Sequence, residues 1–475
     1  MKTKEKRPNI IFITIDGLRA RNLGCYGYKR NTSPNIDSYA KQGVLFKNFF
    51  SSYNCSHKSF LSILGGRHVL SKDFGYYPSK DEMESFFNTG GILLPEILKK
   101  HGYKTYFLRK LFGWQKIGFD YYFREDAQEK SKKWSLIRFI KKIPFIYKII
   151  QYFFHNLYVI PQKLENKLRF NNSGEISTNK AMEIIRQNKK NNFFLWVHYT
   201  DTHVPHMFPY SFKDKFISDK TNNKIFEILK SQNHNKTDID FLKRCWKIKD
   251  TVEDIIVKYD TAIFYSDYLI GKIIEVLKRE NFLDKTIIFI FADHGDTLNE
   301  HGLYFSHCGL YDGTFNIPLL IFGKGVPKNK EITTLTKLED LAPTVLDLVG
   351  IGYDPILFDG KSLAQLIFGE KREVRDSLFI EEQASGLKRM GIRTKKYKYV
   401  ESPKKKYSVC NLCNTMHGEV VNLYDLEKDP NENINIADKN KKLLIEMKSR
   451  LDKEIKDLNT LNEKRRIKTF INKIK

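Results

Sequence analysis

An acidic residue and a histidine stand side by side at Asp293 and His294, directly after the apolar, β-branched run Thr286–Phe291. Such a run is typical of a buried strand in a parallel sheet. Open α/β sheets bind ligands at the carboxyl ends of their strands, and a carboxylate beside an imidazole suits a divalent metal. The stretch therefore indicates a metal site, although a loop with a surface Asp-His pair would show the same residues.

A second acidic residue follows another apolar run near the amino terminus. Asn9–Thr14 predicts a buried strand, and Asp16 comes two residues later. Neighbouring parallel strands deliver their carboxyl ends to the same edge of a sheet, so Asp16 and Asp293 can share one cation. We therefore predict a divalent metal held by Asp16, Asp293 and His294.

A serine stands near a predicted helix start at Ser56, in a helix that ends at Gly65 and Gly66. The backbone N–H groups and the positive dipole end at a helix N-terminus favour an anion. Serine is also a common N-cap, which is the structural alternative. Beside the predicted metal ligands, we interpret Ser56 as a nucleophile.

The remaining pattern predicts one large α/β domain with a smaller appendage. Further strands are predicted at 103–108, 192–199 and 318–322, and a long helix is predicted at 257–280. The strand at 192–199 leads to a polar cluster at Asp201–His203. Short alternating segments at 377–381, 389–393 and 397–401 favour a small antiparallel sheet, and a Lys- and Glu-rich helix is predicted from about residue 439 to the end. We place the catalytic domain at 1–370, with helical insertions at about 121–190 and 205–255, and the C-terminal subdomain at 371–475.

Composition sets limits on the partners. The chain has 475 residues, 41% of them hydrophobic, and a formal charge of +25, which favours anionic partners. Basic and aromatic residues are not interleaved in a nucleic-acid-binding pattern, so we expect no nucleic-acid partner. The basic, aromatic segment 134–160 is too charged to span a bilayer. It could lie on an anionic membrane surface or form a helical insert over the active site.

Cysteine usage and the first residues predict the compartment. Six cysteines are few for this length, which favours a reducing environment, and no apolar signal core precedes the first strand. We expect a cytoplasmic protein, with peripheral contact to the inner membrane face as an option. Cys410, Cys413 and the nearby His417 have zinc-knuckle spacing, but a structural zinc needs four ligands. Cys245 or Cys308 could complete the set if the fold brings one of them close, and a plain loop is the alternative.

Several segments, in order over roughly residues 8–437, resemble the sulfatase family of the alkaline phosphatase superfamily. They include RPNIIFITIDGLRARNLGCYGY, YDTAIFYSDYLIGKIIEVLKRENFLDKTIIFIFADHGD, LYDGTFNIPLLIFGKG and RTKKYKYV. The resemblance implies an alkaline-phosphatase-like mixed, mostly parallel central sheet flanked by helices, with a small C-terminal antiparallel subdomain. It also implies one active-site metal and hydrolysis of sulfate esters.

The same resemblance implies roles for individual residues. Asp16, Asp293 and His294 fall on metal positions, and Ser56 falls on the position of the nucleophile. Three further residues correspond to groups that hold or protonate the anionic ester: His203, His307 and Lys110.

This chain departs from the family pattern at several of these positions. Gly17 stands where calcium sulfatases usually have a second Asp, and Phe112 replaces a usual His. Lys58 and Phe60 break the signal that directs conversion of the nucleophile to formylglycine. We therefore expect an unmodified Ser56, with calcium bound if the chain is a true sulfatase, and zinc or manganese if it acts on phosphate esters.

Three functions follow from this sequence. The leading hypothesis is a metal-dependent hydrolase of sulfate esters. The first alternative is a phosphodiesterase, or a phosphoethanolamine- or phosphoglycerol-type transferase, acting on a cell-surface glycan or a lipid. The second is a non-catalytic binder of an anionic glycan, against which the joint presence of Asp16, Ser56, Asp293 and His294 argues. The substrate in the first two cases is an anionic ester, and a glycan-linked or lipid-linked ester is an option.

Overall fold

The computed structural model describes residues 7–109, 113–123, 173–219, 221–232, 234–411 and 413–474. Within these residues, nine strands form the central sheet. They are β1 (Asn9–Ile15), β2 (Gly43–Phe50), β3 (Lys104–Leu108), β4 (Tyr121–Phe123), β5 (Phe193–Tyr199), β6 (Thr286–Phe291), β7 (Asn316–Gly323), β8 (Lys330–Ile332) and β9 (Thr336–Lys337).

The strand order places the two predicted metal-binding strands next to each other. The order is β4-β3-β5-β1-β6-β7-β2-β8, with β9 also paired to β2. Strand β1 is parallel to both β5 and β6, with Thr14 opposite His198 on one side and Phe291 on the other. Only the pairings of β7, with β6 and with β2, are antiparallel among the described strands of this sheet. The predicted fold class, a mixed and mostly parallel sheet, is confirmed.

Helices flank this sheet in two packed groups, one built around α2 and the other around α8. The described helices are α1 (Pro34–Ala40), α2 (Ser56–Gly65), α3 (Lys80–Asn88), α4 (Leu94–Lys100), α5 (Ser173–Gln187), α6 (Ile225–Ser231), α7 (Lys236–Cys245), α8 (Val252–Arg279), α9 (Asp312–Phe315), α10 (Leu341–Leu348), α11 (Ala364–Ile367) and α12 (Lys441–Ile474).

The core lies along the central strands. Every residue of β1, β5 and β6 is buried, as their continuous apolar sequences predict. The ring of Phe12 makes edge contacts with four aromatic rings on the two neighbouring strands: Phe194, Trp196, Phe289 and Phe291. Such close packing holds the carboxyl ends of these strands in fixed positions.

A second, antiparallel sheet follows in the order β10 (Ser377–Glu382), β11 (Arg389–Thr394), β12 (Tyr397–Glu401) and β13 (Val421–Asp425). The predicted small C-terminal antiparallel sheet is thereby confirmed, with β13 added to the three segments that the alternating pattern indicated. Helix α12 packs on this sheet through Met447, Leu451 and Leu458. The division near residue 370 and the two insertions stay predictions.

Two sequence-based predictions lie outside the described residues. They are the role of Lys110 and the conformation of the segment 134–160. None of the helices in the described part of the chain combines the length and the apolar character that a bilayer crossing needs.

Candidate active site

Two buried carboxylates meet where β1 and β6 end. Asp16 is 2% exposed and Asp293 is fully buried. The main-chain N–H of Gly17 lies 3.4 Å from Asp293 Oδ1, which ties the two strand ends together. Asp16 Oδ1 and Asp293 Oδ2 have no hydrogen-bond partner among the described residues. Buried carboxylate oxygens without partners are costly, so this pair calls for a positive ligand.

His294 presents one ring nitrogen to these carboxylates. Its Nδ1 lies 3.0 Å from the Gly295 carbonyl oxygen, to which it can donate, and this leaves the Nε2 lone pair free. Nε2 lies 3.5 Å from Asp16 Oδ1 and 3.3 Å from Ser56 Oγ. Burial alone would lower the pKa of His294, but Asp293 and Asp16 raise it. The raised pKa means that the two carboxylates favour a proton on Nε2. A cation shared with those carboxylates would take the place of this proton.

Ser56 is the first residue of α2, not its N-cap. The N-cap is Cys55, whose side chain makes no capping hydrogen bond. The Ser56 hydroxyl is therefore free of the capping role that the sequence left open, and it lies against His294 at a helix N-terminus. This is the position that a nucleophile needs.

His203 and His307 lie beside His294. The ring centroids of His203 and His307 are 6.3 Å apart, and those of His294 and His307 are 5.2 Å apart. Burial and the two neighbouring imidazoles lower the pKa of His307 to about 3, so its ring is neutral. Burial also acts to lower the pKa of His203, but Asp16 and Asp296 outweigh it and raise that pKa. His307 is thus suited to accept a hydrogen bond, and His203 is suited to donate a proton.

Asp296 is an acidic residue of the site that the sequence analysis missed. It is 3% exposed, and its Oδ1 has no partner among the described residues. Burial raises its pKa to about 6. A Cβ built on Gly17 would lie 2.9 Å from Asp296 Oδ2. The carboxylate of Asp296 therefore fills the space beside position 17, where calcium sulfatases usually have their second Asp. Its position after Gly295 made it read as an ordinary loop residue.

His198 was also missed, because it lies within the apolar strand β5 and reads as a core residue. Trp196 Nε1 donates to Thr14 Oγ1 at 2.8 Å, and Thr14 Oγ1 lies 2.6 Å from His198 Nδ1. With Nδ1 accepting from the hydroxyl, Nε2 carries the proton and faces Asp16 Oδ2 at 3.4 Å. Burial lowers the pKa of His198, in keeping with a neutral ring. His198 thus orients Asp16.

Arg109, directly after β3, places a positive charge beside Asp16. Its Nη2 lies 3.4 Å from Asp16 Oδ2, and its guanidinium lies over the Phe60 ring at 5.2 Å. Burial acts to raise the pKa of Asp16, but the His198 hydrogen bond and the charges of His203 and Arg109 hold it well below the usual range. The sequence favoured the neighbouring Lys110, which lies outside the described residues.

The donor set fits a divalent cation. Asp16 and Asp293 offer carboxylate oxygens that lie within 4.8 Å of each other. His294 Nε2 lies 3.5 Å from Asp16 Oδ1 and 3.9 Å from Asp293 Oδ2, and Asp296 adds a further buried carboxylate. Oxygen-rich sets with one imidazole suit hard or borderline divalent ions. The predicted ligands Asp16, Asp293 and His294 are therefore brought together, together with Ser56. Their individual roles stay predictions.

A cavity of about 1090 Å³ opens beside helix α2. It is lined by His57, which follows Ser56, and by aromatic side chains that include Tyr77, Phe87 and Trp114. Cavities of this size, with an apolar lining and polar groups at one end, are typical of substrate pockets.

Comparison with known families identifies the fold. The family model described as "Sulfatase" matches residues 8–351. The chain belongs to the sulfatase family. A second model, "N-sulphoglucosamine sulphohydrolase, C-terminal", matches residues 299–460 of this sulfatase. The resemblance seen in the sequence is thereby confirmed, and the chain is a sulfatase-like ester hydrolase.

The sulfatase resembles two named enzymes over most of its length. It is 25% identical over 453 residues to the choline-sulfatase of Rhizobium meliloti, covering 91% of this chain and 83% of the relative. It is 24% identical over 538 residues to the N-acetylglucosamine-6-O-sulfatase of Bacteroides thetaiotaomicron, covering 96% and 88%.

One solved structure supports the fold in particular. It is a protein in complex with its substrate D-glucosamine-2-N,6-O-disulfate. The two structures superimpose with a TM-score of 0.69 at 19% identity, covering 96% of this sulfatase and 99% of the other chain.

Proposed function

We propose that this chain hydrolyses sulfate esters with an unmodified Ser56 as its nucleophile. The observation that carries the proposal is the position of Ser56 Oγ, 3.3 Å from His294 Nε2 at the edge of a cluster of unpartnered buried carboxylates. Ser56 also begins helix α2, whose N-terminal backbone N–H groups favour a negatively charged ester group.

A divalent cation fits this site, with Asp16, Asp293 and His294 as its ligands and Asp296 beside them. When bound, it would supply positive charge that lowers the pKa of the Ser56 hydroxyl and offsets the charge of one ester oxygen. His198 and Arg109 both contact Asp16 and would hold its carboxylate in position for the ion. Calcium is the ion we propose for the sulfatase activity.

The protein's own residues account for the bond changes. Ser56 Oγ, its proton released to solvent, attacks sulfur in line, and the bond between sulfur and the ester oxygen of the leaving alcohol breaks. His203, whose pKa is raised, gives a proton to that alcohol, and neutral His307, whose ring centroid lies 6.3 Å from that of His203, accepts a hydrogen bond. Water then attacks the sulfur bound to Ser56 and gives a proton to His203, which the first step left neutral. The bond between sulfur and Ser56 Oγ breaks, and sulfate leaves.

We further propose a sulfated saccharide as the substrate. The aromatic side chains of Tyr77 and Trp114 in the cavity beside Ser56 offer flat apolar faces of the kind on which sugar rings stack. The N-acetylglucosamine-6-O-sulfatase relative and the solved protein with its disulfated glucosamine support the same choice.

The second candidate is hydrolysis or transfer of a phosphate ester. Lys58 and Phe60, which depart from the formylglycine signal, are both buried. Lys58 Nζ donates to Ser71 Oγ at 2.9 Å, and Phe60 packs against Trp196 with ring centroids 5.0 Å apart. The packing accounts for these two side chains in the fold. The broken signal is what supports an unmodified serine, which phosphodiesterases and phosphotransferases of the superfamily also use.

Turnover by Ser56→Ala tests the proposal. We expect it to lose at least about 1000-fold in kcat for 4-nitrophenyl sulfate and N-acetylglucosamine 6-sulfate, because no other group replaces the nucleophile. Ser85→Ala, at an exposed position of α3, is the matched control and should keep full activity.

Two further outcomes separate the candidates. Wild-type turnover by Ser56→Ala would overturn the assignment of the nucleophile. Faster turnover of 4-nitrophenyl phosphate or bis-4-nitrophenyl phosphate than of the sulfate esters would favour the phosphate alternative. Peptide mass spectrometry of Ser56 should give the mass of unmodified serine.

A further inference from the structure

Four metal-binding side chains converge outside the active site. Cys410, Cys413 and His417 lie on the hairpin segment 408–417, and Cys308 lies on the loop that follows β6. The candidate ligand atoms of Cys308, Cys410 and His417 lie within 4.8 Å of one another. Cys413 Sγ lies 3.0 Å from His417 Nε2. Cys308, Cys410 and Cys413 pack together in one buried cluster.

The spacing of these atoms is close to that of a tetrahedral site. Zinc–sulfur bonds of about 2.3 Å and zinc–nitrogen bonds of about 2.0 Å, set at tetrahedral angles, separate the ligand atoms by about 3.5–3.8 Å. The 3.0 Å contact of Cys413 with His417 and the 4.8 Å limit that holds for Cys308, Cys410 and His417 bracket those separations. All four side chains are at most 5% exposed, and all six cysteines of the chain are free thiols in the structure. We propose that Cys308, Cys410, Cys413 and His417 bind a structural zinc ion.

The backbone of the hairpin already has the form that such a site needs. Val409 and Met416 pair as an antiparallel bridge, and the N–H of Cys410 donates to the carbonyl of Thr415 at 2.9 Å. Asn414 takes a left-handed conformation with φ of 53°, which closes the turn after Cys413. The two cysteines at the C-x-x-C spacing are thereby turned toward the same side as His417.

Groups around the cluster suit thiolate ligands. The Thr415 hydroxyl lies 2.8 Å from Cys413 Sγ, and the Ser385 hydroxyl lies 3.7 Å from Cys308 Sγ. The buried guanidinium of Arg389 donates to the main-chain carbonyl of His417. Three thiolates and one neutral imidazole leave a zinc complex with one negative charge, which Arg389 can offset. Hydrogen bonds to the sulfurs and a nearby cation are the usual second-shell support of such sites.

The site would connect the C-terminal subdomain with the active site. Cys308 directly follows His307, and Cys410, Cys413 and His417 line the same cavity of about 150 Å³ as His203 and His307. Four protein ligands leave no open position for substrate, so the ion is structural. Bound zinc would hold the loop that carries His307 against the hairpin.

Elemental analysis of the full chain, purified without a metal-affinity step, tests the proposal. We expect stoichiometric zinc in the wild-type protein, in the active-site variant Asp293→Asn and in Cys245→Ser, a control cysteine that packs against the main core. Cys410→Ser and Cys413→Ser should lose it. Zinc retained by both of the latter variants would overturn the proposal.

X-ray absorption at the zinc edge of the wild-type protein needs no variant and separates this ion from one in the active site. Three sulfur ligands and one nitrogen ligand are expected, whereas the active site offers only nitrogen and oxygen. A zinc ion whose ligands include no sulfur would overturn the proposal. Iron bound in place of zinc would also overturn it. So would a zinc-free protein in which Cys410 and Cys413 form a disulfide under reducing conditions.

Discussion

The carboxylate of Asp16 is oriented by hydrogen bonds that run from Trp196 through Thr14 to His198. All of these side chains belong to β1 and β5, so the strands themselves set the direction of the carboxylate. If Asp16 binds the proposed metal ion, its carboxylate therefore loses little conformational freedom on binding.

At this scale we predict that His198→Ala weakens binding of the divalent metal by about 10- to 100-fold, because Asp16 loses its buried donor. His198→Gln, whose amide N–H can replace the imidazole donor, should keep most of the affinity. Metal titration by calorimetry measures both. His101→Ala, at the exposed end of α4, is the control. Unchanged affinity in His198→Ala would show that Asp16 needs no such support.

The sequence pointed to site residues where a polar side chain directly follows an apolar strand, as at Asp16, Asp293 and His294. It could not point to His198, because a histidine inside a buried strand is indistinguishable from a core residue. Asp296 was hidden for a different reason, since its partner in space, Gly17, is distant along the chain. Roles that depend on tertiary contacts need the fold before they can be assigned.

Helix α2, which carries Ser56, is fixed at its far end by a buried histidine. His68 follows the helix, and its Nε2 lies 2.8 Å from Glu381 of β10 while its Nδ1 lies 3.3 Å from Glu339. Burial acts to lower the pKa of His68, but the two carboxylates raise it above 6.5. The charged imidazole therefore joins the nucleophile helix to the C-terminal sheet.

We predict a pH-dependent loss of stability for His68→Gln. A raised folded-state pKa means that the contribution of His68 is fully present below pH 6.5 and is lost as the pH rises through the folded value. The wild-type advantage in the free energy of unfolding should therefore be about 3 kcal/mol near pH 6 and shrink at alkaline pH. Urea denaturation at several pH values measures it, with His101→Gln as the control. An advantage that grows with pH would contradict the charged state.

Strands were easier to predict than helix ends. The predicted strand 286–291 has the same first and last residues as β6. Helix α8, in contrast, begins at Val252, five residues before the predicted start. The reason is a capping box, in which the Thr251 side chain accepts from the N–H of Asp254. The first turn carries Val252, Ile255 and Ile256 at helical spacing, so the sequence did contain this start, and the prediction overlooked it together with the capping signal.

On the scale of the whole molecule, α12 connects the two sheets. Its middle packs on the C-terminal sheet, and Arg465 near its end reaches the catalytic domain. Arg465 Nη2 donates to Asp359 Oδ1 at 2.8 Å, and Asp359 also accepts from the main-chain N–H of His68. The last helix thus contacts the same region that holds the nucleophile helix in place.

We predict that Arg465→Ala lowers the free energy of unfolding by about 3 kcal/mol, because Asp359 would be left as a buried charge without its partner. Arg450→Ala provides a matched control on the same helix. Arg450 pairs with Asp376 at 3.0 Å, but both side chains are exposed, so its loss should cost at most about 0.5 kcal/mol. Urea denaturation followed by circular dichroism compares the two. Equal losses would show that the Arg465 pair adds nothing through its burial.

The pairing of Gly17 with Asp296 has a consequence for how relatives of this chain are recognised. A search pattern that requires two adjacent acids after the first strand would reject this protein, even though the missing oxygens are supplied from a loop that follows another strand. A template written as positions of oxygen and nitrogen atoms in space would accept it. At the edge of a sheet, relatives can keep a ligand atom at the same position in space while the residue that supplies it stands at a different place in the sequence.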